Sequence, residues 1–447
     1  MDYKKRGTGM LSSLQRKQPF ERDKNDFPLM RIVLHTSSHK DKILNDEDTI
    51  ISLLQLDEFP FLEVYLTPTN DKEILEKLGE KQSLIVKYDE LERGVHIYNR
   101  TLNKSFGYSQ DVDLNEGAIE NSSVSLIDLL IGRYDYFDFF VIDEGDTFFR
   151  SRRKKGQDVT LQEVLNYVRV LLVNYGIFKV FPNYTVNEGL YYRYRIQKVF
   201  PMYQRAWGIV CANRREGKVF EQLDSLSRRL EFLLRAQDKV QFFELKTVNN
   251  DTQDIVLYHL AYFIILITGV FDDLAWIIHS LYSFKLDNKH QIKLRMDFDE
   301  NRNQFKDNKF FNELSNSNRK LFMFLRKPDI QSFINWVYPF RDTIQHREFL
   351  HGIRYSNANE DFEGSLFSIP NEALEKVKLF NINLSEWGIE EFPHSSFFNA
   401  YVFVENALEK LSFIVNNSLD LIDWKNHYNI PNDIPKDVFG GEKPIYF

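Results

Sequence analysis

Hydrophobic and polar positions follow two different periods along this 447-residue chain. In the first half the apolar runs are short, rich in β-branched and aromatic side chains, and separated by polar turns, which predicts strands. They stand at "MRIVLH" (30–35), "FPFLEVYLT" (59–67), "SLIVKY" (83–88), "VHIYN" (95–99) and "YFDFFVID" (136–143). One helical repeat is clear among them, "TLQEVLNYVRVLLVNYG" (160–176), opened by a threonine N-cap with glutamate three residues later and closed by Gly176. This half predicts a mixed α/β domain over 29–215, of sensing or substrate-recognition type. A flexible basic tail over 1–28 precedes it, and "RSRRKKGQD" (150–158) forms an exposed loop.

Beyond residue 216 the period lengthens. Leucines recur at helical spacing in "FEQLDSLSRRLEFLLRAQDKVQFFEL" (220–245), and further helices fit 255–282, 308–325, 329–354 and 396–424. Strand-like alternation is almost absent, so 216–425 is expected to be an all-α bundle, with 355–370 a connection and 426–447 an extended tail. The expected fold class is α+β, a mixed α/β domain followed by a helical bundle. Only 255–282 invites a membrane reading. It carries His259, Asp272 and Asp273, and its uninterrupted apolar part falls short of the roughly 20 residues a bilayer requires, so a buried core helix is expected.

Composition narrows the function. With 39 Phe, 22 Tyr and 27% charged residues the chain has the make-up of a soluble globular protein. A net charge of -8 argues against unspecific coating of nucleic acid, so any such contact must be local. A single cysteine, Cys211, excludes an internal disulfide framework and fits the cytoplasm as the expected location. The N-terminus lacks the apolar core of a signal peptide. No metal, cofactor or membrane partner is expected.

Several stretches carry candidate chemistry. "FFVIDEGD" (139–146) has the strand-then-acid form of a Walker B element, but the chain has no GxxxxGK[ST] to cradle phosphate. Asp143, Glu144 and Asp146 with "ELK" (244–246) have the letters of a metal-dependent nuclease core. That core needs adjacent strands, whereas "ELK" sits in a leucine-rich helical segment. "HTSSHK" (35–40) offers two histidines without a third metal ligand at a sensible spacing. "LYYRYRIQKVF" (190–200), taken as a strand, would set Arg193, Arg195 and Gln197 on one face and Tyr192, Tyr194 and Ile196 on the other. With Arg152, Arg153 and Lys154, that face is the candidate RNA-binding surface; the plainer reading is a two-faced strand with a tyrosine core.

The densest polar group lies in "YPFRDTIQHREFLHG" (338–352). With Phe333, Val337, Phe340 and Ile344 facing the core, a step of 100° per residue places Asp342 about 180° and His346 about 140° from that centre, and Arg341 about 80° away on the flank. Arg347 and His351 phase toward the core. A helix running to 354 would also turn Phe349 and Ile353 outward, an apolar patch suited to a second copy of the chain. The bland reading is a solvated face with local salt bridges.

Arg341-Asp342-Thr-Ile-Gln-His346 resembles the R-x(4–6)-H signature of the HEPN superfamily of helical ribonucleases, including the polar residue after the arginine. It lies late in a helical region, as in that family, and the resemblance covers roughly 220–425. It implies metal-independent RNA cleavage at the interface of a two-fold dimer, with His346 moving protons, Arg341 holding phosphate and Asp342 orienting the imidazole. It also implies a role as a toxin or anti-phage effector, under a regulatory protein or a phage-derived trigger. An inert HEPN-like module that binds a nucleotide or dimerises keeps the same fold without the chemistry.

Overall fold

The computed structural model describes residues 17–430, leaving aside 27, 37, 57–58, 60, 67–70, 79–83, 90–93, 100–103, 110–136, 143–157, 182–183, 214–216 and 358–361. The chain forms two compact units, the second beginning at Val186. The expected limit at 215 follows the composition, but helices begin earlier.

The first unit is built on a sheet of order β5-β4-β3-β2-β1-β6-β7. Its strands are β1 (Met30–Leu34), β2 (Leu62–Leu66), β3 (Leu84–Asp89), β4 (Gly94–Asn99), β5 (Lys104–Ser109), β6 (Phe139–Val141) and β7 (Asp158–Val159). Strands β3, β2, β1, β6 and β7 run parallel, and β4 and β5 extend the edge antiparallel. β1 is the middle one of the five parallel strands, and Ile32, Val33 and Leu34 are fully buried, as an unbroken apolar run between parallel neighbours requires. Helices α1 (Lys40–Leu44) and α2 (Asp48–Gln55) connect β1 to β2, and α3 (Lys72–Leu78) connects β2 to β3. α4 (Leu161–Asn174) carries the expected capping box, with Thr160 and Glu163 each bonding the other's backbone N–H, and Gly176 takes φ +71° just after it. A two-stranded ribbon, β8 (Lys179–Phe181) and β9 (Tyr184–Thr185), closes the unit. "HTSSHK" ties the β1–α1 turn: the His39 ring Nδ1 lies 3.0 Å from both the His35 carbonyl and the Ser38 hydroxyl.

The second unit opens with α5 (Glu188–Val199) and α6 (Pro201–Asn213). The strand expected over 190–200 is therefore a helix. Asn187 caps it by accepting from the Leu190 N–H at 2.8 Å, and a cap outweighs a weak period-2 alternation. α7 (Lys218–Glu244) and α8 (Asn250–Tyr282) pack along each other as a long hairpin. α8 is long and apolar enough to cross a membrane, yet most of its apolar window is buried within this fold, so it is the core helix expected. A ribbon of β10 (Asp297–Asp299) and β11 (Gln304–Lys306) precedes α9 (Lys309–Ser317), α10 (Arg319–Leu325) and α11 (Pro328–His346). The single helix expected over 308–325 is broken at Asn318, whose side chain caps α10.

The expected all-α bundle also holds a four-stranded antiparallel sheet of order β12-β13-β15-β14. It comprises β12 (Gly352–Asn357), β13 (Phe362–Ser368), β14 (Ile389–Phe392) and β15 (Ser395–Asn399), with α12 (Asn371–Leu379) between its hairpins and α13 (Ala400–Leu421) after it. These strands mix polar and small residues with the apolar ones and so lack the apolar runs that mark the first unit's strands in sequence. The unit is thus α+β, as is the whole chain. Trp336 and Phe340 of α11 interlock with Trp387, Phe398 and Phe403, with ring centroids 4.6 Å apart for Trp336–Trp387 and 5.5 Å for Phe340–Phe398. All but Trp387 are fully buried. This cluster fixes the helix that carries the arginine–histidine motif.

Candidate functional site

α11 ends at His346, eight residues before the expected limit. The N–H groups of Arg347 and Glu348 both donate to the Thr343 carbonyl, at 2.9 and 3.1 Å, and this closes the last turn. The chain then enters the sheet, where the His351 carbonyl accepts from the Ser368 N–H at 2.8 Å. Sequence periodicity could not register this stop, because its partner residue lies on a strand the periodicity did not predict. Phe349 therefore lies in a connecting turn, 61% exposed, while Ile353 is half-buried on β12, so the two share no helix face. Arg347 points to solvent and pairs with Glu372 at 2.7 Å instead of facing the core. His351 is likewise exposed, 3.8 Å from the Glu348 carboxylate.

The three motif residues lie on the final turns of α11. His346 is exposed, and among the described residues its side chain makes no hydrogen bond or ion pair. Asp342 does not orient it as expected; its near neighbour is Arg341, at 3.9 Å. Arg341 is half-buried, its guanidinium 5.8 Å from the centre of the Tyr338 ring. Asn335, Pro339 and Asp342 line a cleft of about 350 Å³, completed by Arg295, Asp297, Phe298, Glu372, Glu375 and Lys376. Helical phase puts His346 on the same stripe. Pro339 has no N–H to give the Asn335 carbonyl, which interrupts the helical ladder beside the cleft.

On the neighbouring stripe, the buried Tyr338 donates its hydroxyl to Asp272 of α8 at 3.0 Å. Burial raises the Asp272 carboxyl above its ordinary range, opposed by the Tyr338 bond and by Arg341, Arg229 and Arg295. Burial pushes its neighbour Asp273 up to about 6, although Arg229 of α7 pairs with it at 2.8 Å. Gly269, one turn earlier on α8, leaves room for that guanidinium: a β-carbon there would lie 2.9 Å from Arg229 Cζ. Tyr338, Asp272, Arg295 and Arg229 were not among the sequence candidates. The adjacent aspartates inside an apolar helix were the available signal; nothing local marked Arg295.

No family model, curated protein or solved structure matches this chain. The other sequence candidates disperse. Arg193 is exposed on α5, while Arg195 lies about 200° further round the helix, near the opposite face, and is bound to the buried Asp238 at 2.7 Å, so the pair forms no basic face. Asp238 also accepts from the Tyr192 hydroxyl at 2.9 Å, which makes Arg195 a packing residue. Arg152, Arg153 and Lys154, with Asp143, Glu144 and Asp146, lie outside the described residues. Glu244 of "ELK" buries its carboxyl at the end of α7, where burial raises its pKa to about 8. Among the described residues it belongs to no cluster of three or more His, Cys, Asp or Glu side chains that could hold a metal.

Proposed function

We propose that the second unit is a HEPN-type endoribonuclease that cleaves RNA without a metal at a two-fold dimer interface. The observation that supports this reading is the pairing of an exposed imidazole with a half-buried guanidinium on the last turns of a rigidly packed helix. In the reaction a ribose 2′-oxygen attacks the adjacent phosphorus and the 5′-oxygen leaves, giving a 2′,3′-cyclic phosphate and a free 5′-hydroxyl. One group must take the 2′-hydroxyl proton and another must protonate the departing oxygen. His346 suits proton transfer because an imidazole offers one ring nitrogen that donates and one that accepts. Arg341 suits the phosphate, since its planar fork binds two oxygens. One imidazole cannot be base and acid within one step, so two copies facing a shared cleft meet the requirement. The exposed Phe349, three residues beyond His346, suits that interface. The role proposed with it is that of a toxin or anti-phage effector held by a regulatory protein or released by a phage-derived trigger.

The test is cleavage of RNA in EDTA, with product ends identified by mass. The expected result is 2′,3′-cyclic ends from wild type and no cutting by His346→Ala. That variant should melt within about 0.5 kcal/mol of wild type, because the ring is at the surface. One observation favours the inert alternative: the cleft beside the motif carries four carboxylates, Asp297, Asp342, Glu372 and Glu375, which repel phosphate. An intact dimer that leaves RNA uncut in either buffer would select that alternative; cutting lost in EDTA would select a metal-dependent nuclease.

A further inference from the structure

The segment before β10 is gripped with unusual care for an irregular stretch of chain. Gln331 of α11, fully buried, accepts from the Met296 N–H at 3.0 Å and donates to the Leu294 carbonyl at 3.0 Å, so one amide holds both neighbours of Arg295. The Arg295 carbonyl accepts from the Asn308 side chain at 3.1 Å. Leu294 and Met296 are themselves buried, so the backbone at 295 is anchored on both sides. Tyr338 lies two turns along α11 from Gln331, on the same stripe, and its ring receives the Arg295 guanidinium at 4.6 Å. The same ring has Arg341 at 5.8 Å. One helix therefore fixes the backbone of Arg295 with one residue and its side chain with another.

Two guanidiniums about one ring repel each other unless an anion joins them, and Asp272, bonded to the Tyr338 hydroxyl, supplies part of that charge. Arg229 is committed to Asp273. Among the described residues Arg295 forms no ion pair with any carboxylate, and it reaches the wall of the cleft that Asp342 also lines. We propose that Arg295 is a second phosphate-binding cation of this site, which with Arg341, the other guanidinium at the Tyr338 ring, brackets a phosphodiester of single-stranded RNA. The assignment rests on the ribonuclease reading for its ligand and on none of that reading's proton transfers.

The test uses the full chain with a fluorescein-labelled RNA oligonucleotide carrying 2′-O-methyl groups, which has no hydroxyl to attack and so reports binding alone. Affinity is measured against salt for wild type, Arg295→Gln and Arg295→Lys, alongside cleavage of the unmodified oligonucleotide. Arg295→Gln is expected to bind roughly tenfold more weakly. Its log–log salt slope should be shallower by about 0.7, the signature of one lost phosphate contact on a single strand. Arg295→Lys should restore the slope while recovering only part of the affinity, because ammonium lacks the planar fork. The same slope for wild type and Arg295→Gln overturns the proposal, as does wild-type protein that binds no RNA. Should Arg295→Gln fold poorly, Arg295→Lys decides: a slope shallower than wild type's overturns the proposal. Binding without any cleavage refutes the ribonuclease reading and leaves Arg295 in place. Cleavage with an unchanged KM in Arg295→Gln refutes Arg295 and leaves the ribonuclease reading in place.

Discussion

Glu244→Gln isolates one buried carboxyl and removes its titration while keeping its shape. Glu244 is the last residue of α7, where the helix dipole disfavours a negative charge. Its Oε1 is shut from solvent without a hydrogen-bond partner, and burial lifts the group from 4.5 to about 8 against the pull of the Ser365 backbone N–H. The sign follows from proton counting. Between pH 4.5 and 8 the folded protein keeps this proton and the unfolded chain has lost it, so stability falls as pH rises through that window. The slope is about 1.4 kcal/mol per pH unit, which at pH 7 amounts to at most about 3 kcal/mol. Glutamine has no such dependence. Its buried NH₂ group costs about 1–3 kcal/mol where no acceptor meets it, but that offset does not vary with pH. The stability difference between variant and wild type should therefore move in the variant's favour by about 1.4 kcal/mol per unit between pH 5 and 8. In a unit of this size that is roughly 2–4 °C in melting temperature for each kcal/mol. Scanning calorimetry from pH 4 to 9 measures it. Parallel melting curves for the two proteins across pH 5–8 would refute the reasoning.

Two further substitutions probe the site's framework. In an ordinary helix interior Gly269→Ala would stabilise by about 1 kcal/mol. Here the new methyl overlaps the Arg229 guanidinium paired with Asp273, so urea melts should fall short of that gain, and the full gain should return when Gly269→Ala is made in an Arg229→Ala background and compared with Arg229→Ala alone. Phe349→Asp should turn a dimer on a sizing column into a monomer and shift the melting temperature of that monomer by little, because the residue is 61% exposed in the single chain. A dimer that persists in Phe349→Asp removes this residue from the interface.

Although it missed β7, whose first residue it read as loop, the sequence by itself placed β1, β2, β3 and β6 of the first unit's sheet, the capped helix over 160–176 and the long apolar helix that carries Asp272 and Asp273. Each of these is announced by residues close together in the chain: a run of branched side chains, a threonine with glutamate three positions on, a continuous apolar stripe. It also placed Arg341, Asp342 and His346 within two turns of one helix, since their spacing alone ensures that. Tertiary structure decided where that helix stops, because Ser368 on a distant strand receives the chain at His351. It decided that Arg195 serves Asp238, and that Tyr338, Asp272 and Arg295 surround Arg341. Asp272 and Arg295 lie tens of residues from Arg341 in sequence, as Asp238 does from Arg195, and these groups meet only when the separate elements pack. Local pattern carries periodicity and caps, whereas a site assembled from separate elements depends on burial and charge pairing that no short window of sequence contains.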